Sequence, residues 1–226
     1  MINIVISIIY LLCTFTITSL CYKKYGRVGL FVWMCVSIII CNIQAIKTID
    51  ILGFTTSLGN ISYGAIFLTT DILSEMYGEK EAKKAIILSF FTLLIFTASM
   101  SLFLQYIPSD VDNTQDALAV VFNFLPRITI ASLINCILSQ FIDAKMYKFL
   151  KDKYGKLWIS NNGSTIVSQL ADTIIFTLIA FAGVIPVINM VEMAVTTLIF
   201  KVIIALLDTP FLYYVSKYKK KKKEEF

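Results

Sequence analysis

Histidine is absent from all 226 residues, and charge is scarce, with 15% of the chain Asp, Glu, Lys or Arg. A soluble domain carries about 25% charged residues to solvate its surface. The chain is long enough to bury a core in water; what it lacks is a polar exterior. The missing histidine removes H-E-x-x-H metalloproteases and Ser–His intramembrane proteases. No Gly-rich phosphate loop is present, so the chain does not itself hydrolyse ATP. Asp71 and Asp172 lack the G-x-G-D type of context expected of an intramembrane aspartyl protease. The five cysteines (Cys13, Cys21, Cys35, Cys41 and Cys136) include no C-x-x-C pair and all fall in apolar runs. An odd number there argues against a disulfide framework and a zinc site, and they read as small packing residues. Residues 2–21 lack the positive n-region of a secretion signal, because Lys23, Lys24 and Arg27 follow the apolar run instead of preceding it. That run is expected to be a retained transmembrane helix.

What the chain has in abundance is apolar length: 58% of its residues are hydrophobic. A helix needs about 20 apolar residues to cross the hydrocarbon layer. Seven runs qualify, at 2–21, 28–46, 57–75, 85–107, 118–144, 163–186 and 190–215. The third holds Asp71 and Glu75, so a six-span reading with one re-entrant segment stands beside the seven-span one. The expected fold is an all-α membrane protein, a polytopic bundle of six or seven transmembrane helices in one domain over 1–226.

The loops supply an independent test. Lys23, Lys24 and Arg27, then Lys80, Lys83 and Lys84, then five lysines between 145 and 156, then six between 217 and 223 make 17 of the 20 basic residues. The alternate loops hold Lys47 alone and the acidic stretch with Asp110, Asp112 and Asp116. The positive-inside rule then puts the N-terminus outside and the C-terminus in the cytoplasm. The basic tail, 217–226, is expected to anchor the last helix at an anionic leaflet and not to bind nucleic acid.

Charge inside a bilayer costs at least about 2.5–3.5 kcal/mol per residue on insertion scales, which makes each such residue a functional candidate. Asp71, Glu75, Arg127, Asp143, Asp172, Lys201 and Asp208 lie in or near the apolar runs. By run position, Asp71, Asp172 and Asp208 fall about two turns inside the cytoplasmic boundary, and Arg127 and Lys201 nearer the middle or the outer half. Asp71 and Glu75, four apart, share one helix face. Gln140 with Asp143 and Gln169 with Asp172, three apart, repeat a Ser-Gln-x-x-Asp pattern (Ser139, Ser168) on two antiparallel helices. The bland reading pairs Arg127 and Lys201 with two of the acids to hold the bundle together. Four acids and two amides exceed what two bases need, and a surplus converging in a bundle interior fits a polar ligand site. Asp71, Glu75, Arg127, Gln140, Asp143, Gln169, Asp172 and Lys201 are therefore the candidate site, with no cofactor and no metal.

Thr70-Asp71-Ile72-Leu73-Ser74-Glu75-Met76-Tyr77-Gly78 resembles the D-x-x-x-E-x-Y-G signature of the queuosine precursor transporters, also called the vitamin uptake transporter family. Pro126-Arg127 with Ser132 and Ser139-Gln140-x-x-Asp143 resembles that family's P-R-x-x-x-x-S and S-Q-x-x-D elements. Ser168-Gln169-x-x-Asp172-Thr173 with Phe176 resembles its second block, and Lys201 with Thr209-Pro210 fits its last helix. Two positions depart from the pattern: Gly64 stands where a proline is common, and Ser160 near the place of an arginine.

The resemblance, which spans about 42–215, implies a non-enzymatic importer of 7-deazaguanines (7-cyano-7-deazaguanine, 7-aminomethyl-7-deazaguanine or queuine) in the bacterial plasma membrane, serving tRNA queuosine salvage. A carboxylate suits such a base, because it accepts both the N1–H and the exocyclic amine, while an amide or Arg donates to O6. Tyr63, Phe67 and Phe176 lie where rings could flank it. The alternatives are a substrate-binding subunit of an energy-coupling-factor vitamin transporter and a non-transporting membrane scaffold. The first helix has no alanine for the A-x-x-x-A docking stripe of such subunits. Oligomeric state is open, a homodimer included.

Overall fold

In hydrocarbon no water satisfies the backbone, so an apolar run has to close its hydrogen bonds within itself, as an α-helix. The computed structural model describes residues 2–155 and 157–217, and helical elements occupy all seven apolar runs. The side chain of Asp143 and the tail beyond Lys217, both part of the expectations above, lie outside the described residues. By length and apolar composition Ile2–Gln44, Glu79–Phe103, Gln115–Tyr154 and Val187–Val215 can each cross a membrane, and Ile166–Phe181 is a shorter apolar stretch. Large apolar side chains stand exposed along these helices, Val5, Ile87, Ile137 and Val202 among them, as lipid-facing surfaces require.

Helix α1 (Ile2–Gln44) contains the first two runs and reverses at Gly26, whose φ of 59° and ψ of −136° break the helix. Only glycine takes that conformation without strain. The limbs 2–25 and 27–44 then lie antiparallel, and Trp33 Nε1 donates to Thr18 Oγ1 across them at 2.8 Å. α2 (Gly59–Tyr77) and α3 (Glu79–Phe103) follow. Arg27 Nη1 lies 3.2 Å from Glu81 Oε2, which places the α1 reversal and the α2–α3 turn at the same end of the bundle. Asn3, at the other end of α1, donates to Asp50 O at 2.9 Å.

Two features depart from the expected outline. Residues 47–57 form an antiparallel hairpin, β1 (Thr48–Ile51) with β2 (Phe54–Ser57), where a plain loop was predicted. Five of the eight strand residues are β-branched, and Leu52 and Gly53 both take positive φ, as a tight two-residue turn demands. The hairpin is docked, since Thr196 Oγ1 donates to Thr55 O and Ser57 Oγ to Ala45 O. The predicted run at 118–144 is also split. α4 (Gln115–Phe122) ends, and α5 (Leu125–Tyr154) restarts with Pro126 in its first turn, where a missing N–H loses no helical bond.

α6 (Leu157–Phe181) starts six residues before the predicted 163, and α7 (Val187–Ser216) carries Pro210 inside it. Two buried cores result. Leu11, Phe15, Leu30, Leu68, Leu93 and Ile204 tie α1, α2, α3 and α7 together. Ile128, Ala131, Ala180, Phe181 and Met193 join α5 and α6 to the first part of α7. In the first core Gly64 is closely packed: a Cβ there would lie 2.8 Å from Leu11 Cδ1 and 3.2 Å from Ile204 Cγ2, so the Leu11 tip would have to shift to admit it. Buried hydroxyls along α1 and α2 bond back to their own helix, as in Thr18 to Thr14 O and Thr69 to Ala65 O.

Candidate functional site

The seam between the two cores opens into a cavity of about 280 Å³. That is near the lower end of the roughly 300–1,000 Å³ of ligand pockets. α1, α2, α3, α5, α6 and α7 each present one face to it at helical spacing. α1 contributes Ile38, Cys41 and Asn42, and the turn after it Ala45; α2 contributes Gly59, Asn60 and Tyr63, and α3 Ile86 and Phe90. From the other side come Ser132, Asn135, Cys136, Ser139 and Gln140 of α5, and Gln169, Asp172, Thr173 and Phe176 of α6. Thr197 and Lys201 of α7 and Ser57 of the hairpin complete the wall.

At its centre Lys201 Nζ forms an ion pair with Asp172 Oδ2 and donates to Thr173 Oγ1 at 3.1 Å. Asn135 Nδ2 donates to the second carboxylate oxygen, Asp172 Oδ1, at 2.7 Å. Three helices thus converge on one carboxylate. Both side chains of the ion pair are 15% exposed. In such a setting desolvation offsets much of the attraction, so the pair is weak evidence for a stabilising role. Around it Ser132 Oγ donates to Asn42 Oδ1 at 2.8 Å, and Asn60 Nδ2 to Thr197 Oγ1 at 2.7 Å. Gln140, on the exposed side of α5, donates to Cys136 Sγ at 3.1 Å.

The ion pair fixes depth. Asp172 was expected about two turns inside the cytoplasmic boundary and Lys201 further out, but a direct contact puts them level.

Of the eight candidate residues, Gln140, Gln169, Asp172 and Lys201 line the cavity. The repeated Ser-Gln-x-x-Asp pattern brings them together, since Ser139 and Gln140 face Gln169 and Asp172 across the α5–α6 contact. Asp71 and Glu75 do not line it; both are exposed at the far part of α2, where Asp71 lies within electrostatic reach of the buried Asp208. Arg127 also lies off the cavity. Its Nε donates to Ile179 O at 2.9 Å and its Nη2 to Ala182 O, so it caps the C-terminal end of α6, with its guanidinium over the Phe124 ring. A cation there meets the unpaired carbonyls and the negative pole of the helix. Tyr63 and Phe176 line the cavity, whereas Phe67 packs edge-on against Tyr63 with centroids 4.8 Å apart.

Asn42, Asn60 and Asn135 were not singled out from the sequence. Each is an amide in or beside an apolar run, and the rule that flags intramembrane charge flags them too when extended to neutral polar groups.

Comparison with known proteins adds descent to geometry. The family model described as "Putative vitamin uptake transporter" matches residues 57–215, which contain every cavity residue that follows Ala45 in the chain. The "Probable queuosine precursor transporter" of Bacillus subtilis is 40% identical over 213 residues, 93% of each chain. The "Queuosine precursor transporter" of Escherichia coli is 31% identical over 138 residues, 59% of this chain and 58% of its own. A "Probable queuosine precursor transporter" of Haemophilus influenzae is 26% identical over 129 residues, 57% of this chain and 53% of its own. No solved structure matches.

Proposed function

The chain belongs to the vitamin uptake transporter family, and on that premise we propose that it imports queuosine precursors, 7-deazaguanine derivatives, across the bacterial plasma membrane. The observation that carries the reading is the Asp172 carboxylate in the inter-core cavity, held by Lys201 and Asn135. A carboxylate can accept the N1–H and the exocyclic amine of a guanine-like edge side by side. In the proposed bound state that edge takes Asp172 from Lys201. The freed ammonium, or Gln140 at the cavity edge, then donates to O6. Tyr63 and Phe176 supply aromatic walls for the flat base.

Position supports transport as well as binding. The site lies between one core built on α1–α3 and another built on α5–α6, with α7 in both. Relative motion of two such bodies about a shared site is the geometry of alternating access. Seven spans, the N-terminus outside and the C-terminus in the cytoplasm complete the proposal. A fluorescent protein that matures only in the cytoplasm, fused after residue 226, is expected to light up; a dark fusion in an inserted, functional chain overturns the orientation.

The function itself is tested by uptake of labelled 7-cyano-7-deazaguanine, 7-aminomethyl-7-deazaguanine and queuine. The host is a transporter-deficient strain that also lacks the energy-coupling-factor module. Accumulation of any one supports a stand-alone importer; accumulation of none overturns it.

A further inference from the structure

Asn135 is 7% exposed, yet its carbonyl oxygen Oδ1 has no partner among the described residues. The orientation of its amide is not arbitrary. Nδ2 donates to Asp172 Oδ1 at 2.7 Å, and turning the amide over would set two acceptors against each other. Oδ1 therefore remains an acceptor in the cavity wall. A second orphan is nearby: Gln169 Oε1, one turn before Asp172 on the same face of α6, is also buried and unpartnered. Lys201, the one cavity-lining cation among the described residues, does not relieve either, since it is directed to Asp172 and Thr173. A buried acceptor left unpaired is unfavourable, and native proteins keep few of them. The wall thus has acceptors in surplus: two amide carbonyls, besides the remaining lone pairs of Asp172.

We propose that Asn135 is a specificity-determining residue of the transport cavity, its carbonyl accepting a hydrogen bond from a ligand N–H, with Gln169 as a second acceptor. The proposal rests on the transport reading above and extends it from one carboxylate to an acceptor-rich wall. The class of ligand it selects is a planar heterocycle with N–H donors on more than one edge. A 7-deazaguanine has three such groups: N1–H, the exocyclic amine and the pyrrole N9–H. If Asp172 takes N1–H and one amine hydrogen, as in the proposed pose, the second amine hydrogen and the pyrrole N–H on the opposite edge are left for the two amide carbonyls. Discrimination by such a site comes from what a donor-deficient analogue leaves unpaired, more than from shape.

The test is equilibrium binding to the full chain in lipid nanodiscs. The probes are 7-deazaguanine, 7-deazahypoxanthine, which lacks the exocyclic amine, and 9-methyl-7-deazaguanine, which lacks the pyrrole N–H. Wild type is expected to bind at least one analogue about tenfold or more weakly than 7-deazaguanine. Asn135→Leu keeps the γ-branched outline of the side chain and removes the carbonyl. Asn135→Thr also removes it but retains a hydroxyl that can donate to Asp172, which guards against misfolding of the leucine variant. Either is expected to reduce one of the wild-type ratios to about twofold, while Gln169→Met acts on the other. A merely structural role lowers stability or all affinities together and leaves the ratios alone. Ratios unchanged in the folded Asn135 variants overturn the proposal, as does equal wild-type binding of all three probes; in both cases the transport reading stands. Wild-type binding of none of the three overturns this inference, while the uptake of the 7-substituted precursors described above decides the transport reading separately.

Discussion

Asp172 and Lys201 are each other's partners, and this determines how their variants must be read. Asp172→Asn alone leaves a partly buried ammonium without its counter-ion, and removing one member of a buried pair costs about 3–5 kcal/mol. Loss of uptake in that variant would confound folding with function. Replacing both, as Asp172→Asn with Lys201→Met, removes the charge imbalance, so the double variant is expected to melt higher than Asp172→Asn. Thermal unfolding in one detergent checks this, and a double variant less stable than the single contradicts it. Arg127 behaves differently, because its partners are backbone carbonyls at the end of α6. Arg127→Met is expected to lower the melting temperature while leaving ligand affinity within about twofold, since the side chain does not reach the cavity; a selective loss of affinity would return Arg127 to the site. The sequence pointed to Asp172, Lys201, Gln140 and Gln169 because charge and the repeated motif stand out in apolar runs. It could not separate them from Asp71, Glu75 and Arg127. Which polar residues meet depends on helix rotation and on backbone partners, and neither has a signature in residue type.

Among the elements, the apolar run lengths carried most of the outline, since a membrane helix is dictated by hydrocarbon thickness. What escaped was local. The 47–57 hairpin is only four residues per strand, and its β-branched residues resemble those of the neighbouring helices. The α4–α5 break depends on where Pro126 falls within a turn. At the opposite end of the bundle, Glu81 joins Arg27 of the α1 reversal to Lys84 of α3. The Lys84 hydrogen bond, with Arg27 beside it, holds the Glu81 carboxyl below the usual carboxylate range. A depressed pKa adds stability above the unfolded value, near 4.3, and loses it as pH falls through the folded value. Wild type and Glu81→Gln are therefore expected to keep a constant difference in melting temperature from pH 7 to about 5. That difference should close below about pH 4. A difference that instead grows on acidification contradicts the ion-pair account.

At the scale of the whole molecule, two cores meet along a polar seam, with the hairpin over one end and the turns that hold Arg27 and Glu81 at the other. The basic clusters at 23–27 and 80–84 put those two turns at one end before any coordinates, because loop charge follows topology independently of hydropathy. The seam was not legible. Residues that line it, such as Asn42 of α1 and Ser132 of α5, are 90 positions apart in the chain, and their hydrogen bond exists only once the cores dock. A scaffold with a polar structural core would contain the same contacts and move nothing. The decisive measurement is uptake of labelled 7-deazaguanine precursors by a transporter-deficient strain, comparing wild type with the Asp172→Asn, Lys201→Met double variant at matched membrane levels. The predicted result is accumulation by wild type and background uptake by the variant. Equal uptake by both removes the ion pair from the site, and no uptake by wild type contradicts the transport account itself.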